Sequence, residues 1–168
     1  MEPLNLVTIN TFSPYSVWNK GDVYYFETDY GVEYSVDFDL DDNPYYEAYW
    51  VNLNNLNRKI SPRDVKIPQT LICIIEEFFR QNPHILLYMC SRKDDQQAQR
   101  ARLFLRWFNG AEQQQKYLIK ATEVKGESLD GKNLIEYVAL IVQRSHPHLD
   151  DIINLYDEEI EMFNEYKP

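Results

Sequence analysis

The chain has 168 residues, 44% of them hydrophobic, and a formal net charge of −10. This length and apolar content predict that residues 1–168 form a single globular domain with a substantial core. The acidic balance disfavours a nucleic-acid-binding protein, because neutralising phosphates requires a positive surface. No apolar run approaches the ~20 residues that a membrane helix needs, and the N-terminus lacks a signal-peptide pattern. The two cysteines both lie in apolar segments, which is typical of reduced, buried cysteines, and we expect a cytoplasmic protein. We expect no membrane partner.

The charge is unevenly distributed. Residues 1–60 carry 3 Lys/Arg against 10 Asp/Glu, residues 61–120 carry 10 against 6, and residues 121–168 carry 4 against 11. The three parts therefore have net charges of −7, +4 and −7. Either the cationic middle docks internally on the acidic ends, which we favour, or it leaves a positive stripe that can hold an acidic partner.

The first third has β-strand patterning. Apolar and polar residues alternate through 32–39, after a "TDYG" segment suited to a tight reversal, and this predicts a hairpin over 23–39. Residues 45–51 alternate again and predict a third strand. The Asn-rich segment that follows, interrupted by Pro62, predicts an irregular connection.

The rest of the chain combines helical and strand patterns. A helix is predicted from Pro68 to Gln81, with an apolar stripe at Leu71, Ile74, Ile75 and Phe78. We then predict a buried strand at 84–90, a helix from about Asp95, and strands at 117–124 and 134–144. The second of these strands is apolar on both faces, which predicts a central position in the sheet. The last helix starts near His148, and its predicted buried residues are Leu149, Ile152, Ile153, Tyr156, Ile160 and Phe163. The order βββ-α-β-α-ββ-α predicts an α+β fold, a largely antiparallel sheet with about three helices packed on it.

The stretch "MCSRKDDQQAQRARLFLRWF", residues 89–108, carries the strongest candidate site. A loop that follows a buried strand and opens a helix favours anions, and an arginine stripe can recognise carboxylates or phosphates. Capping by Asp94 and Asp95 and an ordinary solvated face are the competing interpretations. The candidate ligand- or partner-binding residues are Ser91, Arg92, Lys93, Gln99, Arg102, Arg106 and Trp107.

The same stretch carries a resemblance. The pattern C-x3-D-x2-Q-x2-R-x2-L-F-x2-W-F, from Cys90 to Phe108, resembles the core motif of an uncharacterised family of small bacterial proteins, with the likeness covering about residues 20 to 145. Where that family tends to have Asp and Arg, this chain has Ser91 and Gln96, so a functional pair at these positions would be missing. The resemblance implies a compact domain and carries no known activity.

No catalytic signature is present, and we expect no cofactor. "HPH" at 146–148 beside two aspartates superficially offers metal ligands, but we interpret it as the start of a helix and expect no metal site. Neither cysteine has the local His or CxxC context of a thiol nucleophile. The main hypothesis is a small acidic interaction protein without catalytic activity: an inhibitor, an antitoxin- or immunity-type protein, or an adaptor with a protein partner. The alternative is a nucleotide- or phosphate-ligand-binding protein or enzyme that uses the strand-loop-helix at 90–106.

Overall fold

A computed structural model of the protein describes residues 1–60, 62–81, 84–89, 105–106, 108–127 and 133–165. Within this part of the chain there are seven strands and four helices, and every described strand pairing is antiparallel. The predicted α+β class is confirmed. Two of the four described helices, Leu6–Phe12 and Ala111–Lys116, were not predicted, and most of the helix predicted from about Asp95 lies outside the described residues. The chain divides into two compact units, an N-terminal unit (Met1–Asp41 and Tyr49–His84) and a C-terminal unit (Asp42–Ala48 and Ile85–Pro168). A single domain stays a prediction.

The N-terminal unit packs two helices with four strands in the order β1-β2-β3-β4. The predicted hairpin is β2 and β3, and Gly31 in the turn between them has φ 74°, a left-handed conformation that suits glycine. The amide of Thr28 donates to the carbonyl of Val32 (2.9 Å) and closes this turn. The elements are α1 (Leu6–Phe12), β1 (Trp18–Lys20), β2 (Val23–Glu27), β3 (Glu33–Leu40), β4 (Ala48–Asn55) and α2 (Lys66–Gln81).

Helix α2 provides the core of the N-terminal unit. All four residues of the predicted stripe are at most 2% exposed, which confirms the helical spacing. The helix begins two residues before Pro68, because the Oδ1 of Asp64 accepts the amide N–H of Lys66 (2.9 Å) and caps the first turn. It ends at Gln81, as predicted.

Strand β4 runs through Asn55, so the prediction of an irregular connection is wrong for residues 52–55. Asparagine is typical of loops, but two of these asparagines are held on the polar face of the sheet by side chains of the neighbouring strand. The side-chain amide group of Asn52 donates to the carboxylates of Asp37 (2.9 Å) and Asp39 (2.8 Å), and the side-chain amide group of Asn54 donates to that of Asp37 (3.3 Å). Cross-strand pairing therefore overrides the weak intrinsic strand preference of asparagine.

A buried tyrosine ties the N-terminus of α2 to the rest of the unit. The hydroxyl of Tyr15 donates to Asp64 and accepts the amide N–H of Asp29 (3.2 Å). Lys66 pairs with Asp29 (2.9 Å) and lies 5.4 Å from the centre of the Tyr15 ring. Burial, together with the hydrogen bond to the Asp64 carboxylate, raises the pKa of Tyr15 to about 12. The hydrogen bonds of this phenol stabilise the fold. Because its raised pKa keeps the phenol neutral, Tyr15 is unsuited to act as a general base.

We expect this tyrosine to make the protein lose stability at alkaline pH. The pKa of a tyrosine is about 10 when the chain is unfolded, whereas that of folded Tyr15 is about 12. Between these values the unfolded state binds fewer protons than the folded state, so the free energy of unfolding falls as pH rises. Urea denaturation at a series of pH values should give a shallower fall for Tyr15→Phe than for the wild type. Replacing the exposed Tyr30 by Phe is the control, and an equal change in slope for both variants would contradict the assignment.

The C-terminal unit has three strands in the order β5-β7-β6, with β7 in the centre. The residues from Val138 to Val142 are all buried, at 0–7% exposure, which confirms the central position predicted from their two-sided apolar character. The elements are β5 (Ile85–Met89), α3 (Ala111–Lys116), β6 (Tyr117–Glu127), β7 (Asn133–Gln143) and α4 (Leu149–Glu165).

Helix α4 is anchored to this sheet near its middle. Ile152 and Tyr156 are buried, and the hydroxyl of Tyr156 donates to the carbonyl of Val138 (3.3 Å). Lys120 on β6 forms an ion pair with Asp157. The predicted burial of Phe163 is wrong, because this side chain is 53% exposed near the end of the helix.

None of the helices in the described residues combines the length and apolar character needed to cross a membrane.

Candidate functional site

The candidate site is an open cleft of about 640 Å³ within the C-terminal unit. Three parts of the chain form it: the segment 45–47, the start of β5, and the turn at 146–148 with the first half of α4. We call it the acidic cleft. Its lining residues are Tyr45, Tyr46, Glu47, Ile85, His146, His148, Asp151, Ile152, Asn154, Leu155 and Glu158.

The segment 45–47 is held in place by short-range and long-range hydrogen bonds. The Oδ1 of Asn43 accepts the amide N–H groups of Tyr45 (3.1 Å) and Tyr46 (3.0 Å), an Asx turn that presents both rings. The hydroxyl of Tyr46 donates to Glu159 on α4 (3.2 Å). The amide of Ile85 donates to the carbonyl of Glu47 (3.4 Å) and joins the segment to β5. The wall of the cleft is therefore fixed at both ends.

Part of the cleft is apolar. Ile85 and Ile152 are 1% and 3% exposed and belong to the core, while Leu155 is half-buried. Tyr45 is 64% exposed, which leaves a large aromatic surface to a ligand. Aromatic and aliphatic side chains around a concave surface are the usual anchors for an apolar group of a partner.

The rim of the cleft is acidic. Glu47, Asp151 and Glu158 are exposed, and none of the eleven described lining residues is Lys or Arg. Asp151 and Glu158 are two turns apart on α4, so their carboxylates project on the same side of the helix. The site thus combines an apolar part with a negative potential.

Two histidines border the acidic rim. The amide N–H of His148 donates to the Nδ1 of His146 (3.1 Å), so the proton of the neutral His146 imidazole lies on Nε2. The Nδ1 of His148 is 3.9 Å from the carboxylate of Asp151. Within the described residues, no three His, Cys, Asp or Glu side chains converge as ligands for a metal ion.

The cleft differs from the site predicted from sequence. Of the predicted residues, only Arg106 lies within the described part, where it is helical and exposed. Ser91, Arg92, Lys93, Gln99, Arg102 and Trp107 lie outside the described residues, and the phosphate-ligand alternative at 90–106 stays a prediction. Internal compensation of the cationic middle is seen at two described positions, because Lys66 pairs with Asp29 and Lys120 with Asp157.

The "HPH" segment was identified from the sequence, but the cleft was not. The sequence signal for the cleft was the acidic first turns of α4, directly after this segment. The rest of the cleft is formed by the "YYE" segment, about a hundred residues earlier in the chain. Nothing in the sequence pattern links two segments this far apart. Elsewhere, burial raises the pKa of the Cys73 thiol on α2, which keeps it in the protonated, unreactive form.

By fold and site, the protein is a largely antiparallel α+β protein with an acidic, partly apolar cleft. The chain belongs to the family of unknown function DUF6169, whose family model matches residues 63–158. The matched range contains all of the cleft from Ile85 to Glu158, and segment 45–47 precedes it. The predicted membership of a family of unknown function is confirmed, while the bacterial source and the individual motif positions stay predictions.

A search of curated proteins found no match to this chain.

Proposed function

We propose that the protein is a non-catalytic interaction protein, of the inhibitor, antitoxin, immunity or adaptor type, that binds a basic segment of a partner protein in the acidic cleft. One observation carries the proposal: a concave surface in which buried aliphatic residues lie beside exposed carboxylates, without a lysine or arginine among the described lining residues. A peptide segment with an apolar side chain between cationic ones matches this surface in shape and charge.

The apolar part would provide most of the affinity. Complete burial of a leucine or isoleucine side chain contributes about 1.5–3 kcal/mol, and the open cleft would supply part of this. The flat, exposed ring of Tyr45 adds contact area at a small cost in conformational entropy, since a tyrosine has only two side-chain dihedral angles. The fixed positions of Tyr46 and Glu47 reduce the ordering that binding requires.

The acidic rim would provide specificity and fast association. Each rim pair between exposed groups contributes only about 0.2–1 kcal/mol. Three exposed carboxylates, on a surface with no Lys or Arg among the described lining residues, nevertheless attract a basic segment and repel an acidic one. The negative charge of residues 121–168, a net −7, extends this field beyond the cleft. Salt should weaken the interaction because the groups are exposed to solvent.

Binding of short labelled peptides tests the proposal directly. In one peptide series an isoleucine lies between arginine and lysine residues, and in the matched series it lies between glutamates. We expect fluorescence anisotropy to show binding of the basic series only, with an affinity that falls as salt rises. Asp151→Lys/Glu158→Lys should weaken this binding at least about tenfold, because attraction becomes repulsion on the same wall.

The matched control is Glu161→Lys/Glu165→Lys, which makes the same charge change on exposed positions of α4 that do not line the cleft. It should retain most of the affinity, since only the long-range field is altered. Equal losses in both double variants would mean that net charge rather than the cleft determines binding, and equal binding of both peptide series would refute the proposal.

A further inference from the structure

The connection between β4 and α2 exposes an apolar side chain, that of Ile60. Ile60 is 98% exposed and Leu56 is 48% exposed, although isoleucine is among the residues most often buried in folded proteins. Cationic residues flank Ile60 in the sequence. We call Leu56, Arg58, Lys59, Ile60 and Arg63 the basic loop.

The cations of the basic loop are not compensated locally. Arg58, Lys59 and Arg63 are exposed, and none of them forms an ion pair with any residue in the described part of the chain. The nearby Asp64 is engaged by the Tyr15 hydroxyl and the Lys66 amide, and Lys66 itself pairs with Asp29. The loop therefore presents a local positive charge on a chain whose net charge is −10.

The base of this loop is held firmly. The amide group of Asn57 donates to the carbonyl of Gly31 (2.8 Å), and the amide group of Asn55 donates to the carbonyl of Lys59 (3.0 Å). Between them, Arg58 adopts a left-handed conformation with φ 54°, which reverses the chain direction. Residues 55–59, held in this way, lose little conformational entropy when the adjacent Ile60 is bound.

The loop and the acidic cleft have complementary chemistry. The loop offers one exposed isoleucine with three cations, and the cleft offers an apolar part with three exposed carboxylates, Glu47, Asp151 and Glu158. Resting on the proposed function of the cleft, we propose that its occupant is a second copy of this chain, whose basic loop inserts Ile60 against the apolar part of the cleft. Arg58, Lys59 and Arg63 then face the acidic rim.

Such an interface joins two different surfaces. Each copy would carry one loop and one cleft, so association would continue head to tail into a ring or an open chain of copies. A loop of five side chains buries less surface than a standard stable interface, so the association would be weak, concentration-dependent and sensitive to salt.

Sedimentation velocity and light scattering on the full chain test the proposal. The weight-average mass of the wild type should rise at least about 1.5-fold between about 5 µM and about 500 µM protein at low salt, and this rise should disappear near 500 mM salt. The loop variant Arg58→Ser/Lys59→Ser/Ile60→Ser and the cleft variant Asp151→Lys/Glu158→Lys should each remain monomeric. The control Lys20→Ser/Val7→Ser, which removes an exposed cation and an exposed apolar side chain elsewhere, should associate like the wild type.

The decisive experiment mixes the two broken variants. The loop variant retains an intact cleft and the cleft variant an intact loop, so an equimolar mixture should form a one-to-one dimer that does not grow further. Circular dichroism of each variant checks that it is folded, as expected for changes at exposed positions. A wild type that stays monomeric at the highest concentration, or a mixture that stays monomeric, overturns the proposal.

Two further results separate this proposal from that for the cleft. If the wild type is monomeric but the cleft still binds basic peptides and loses them in Asp151→Lys/Glu158→Lys, only the identity of the partner is wrong. If vesicles rich in phosphatidylserine bind the wild type and the cleft variant but not the loop variant, and no self-association occurs, the loop serves a lipid surface and the proposal is overturned.

Discussion

Replacing Phe78 by alanine should lower the free energy of unfolding of the N-terminal unit by about 3–5 kcal/mol. The ring is fully buried and stacks on Phe38 at 4.7 Å between ring centres, with Tyr49 packed edge-on at 5.7 Å. Truncation removes these contacts and leaves a cavity between α2 and strands β3 and β4, which the surrounding rings cannot fill without leaving their rotamers.

Urea denaturation followed by tryptophan fluorescence measures this loss, since Trp18 and Trp50 both lie in the N-terminal unit. Phe78→Leu should cost less, because most of the volume is retained. Phe12→Ala is the control for a lost phenyl group, because Phe12 is 72% exposed on α1. A loss of less than about 1 kcal/mol for Phe78→Ala would contradict the central position assigned to this ring.

Replacing Arg80 by methionine should destabilise the same unit by about 2–3 kcal/mol. Glu77 on α2 is only 1% exposed, and its carboxylate is paired with Arg80 and accepts a hydrogen bond from the amide group of Gln81 (3.0 Å). Without the guanidinium, a buried carboxylate keeps a single neutral donor. The expected loss is below that of a fully buried pair because Arg80 is 53% exposed and solvent screens the interaction.

The double variant Glu77→Met/Arg80→Met separates this effect from lost packing. An apolar side chain of similar length should fill the site of Glu77, so the double variant should be more stable than Arg80→Met alone. The same urea titrations measure both variants. If the double variant were the less stable of the two, the buried charge would not be the cause of the loss.

Local patterns in the sequence determined the long elements. The stripe on α2 and the two-sided apolar run of β7 were predicted correctly. The residues on the buried face of a helix recur every 3.6 positions, and a central strand is apolar on both faces. The short elements left no such signal. Helix α1 has seven residues, β1 has three, and the polar sequence AEQQQK of α3 has no apolar stripe.

Other features depended on side-chain partners that the spacing of apolar residues does not reveal. Asn52 and Asn54 lie in a strand because β3 supplies both the backbone pairing and the carboxylates that hold their side chains. The burial of Glu77 was not predicted. A buried carboxylate is tolerated only when it has hydrogen-bond or ion-pair partners, and here Arg80 and Gln81 provide them. Phe163 continues the spacing of the buried residues but is 53% exposed near the end of α4.

The sequence by itself therefore determined the α+β class, the core stripe of α2, the central strand β7 and the uneven distribution of charge. Only the tertiary structure decided where the acidic cleft lies, because Tyr45 and Glu47 meet His148, Asp151 and Glu158 through contacts across about a hundred residues of chain. The exposure of Ile60 was likewise decided by the fold. Periodicity is a local property of the backbone, whereas a site requires side chains whose proximity follows from packing, and packing is not encoded in any single segment.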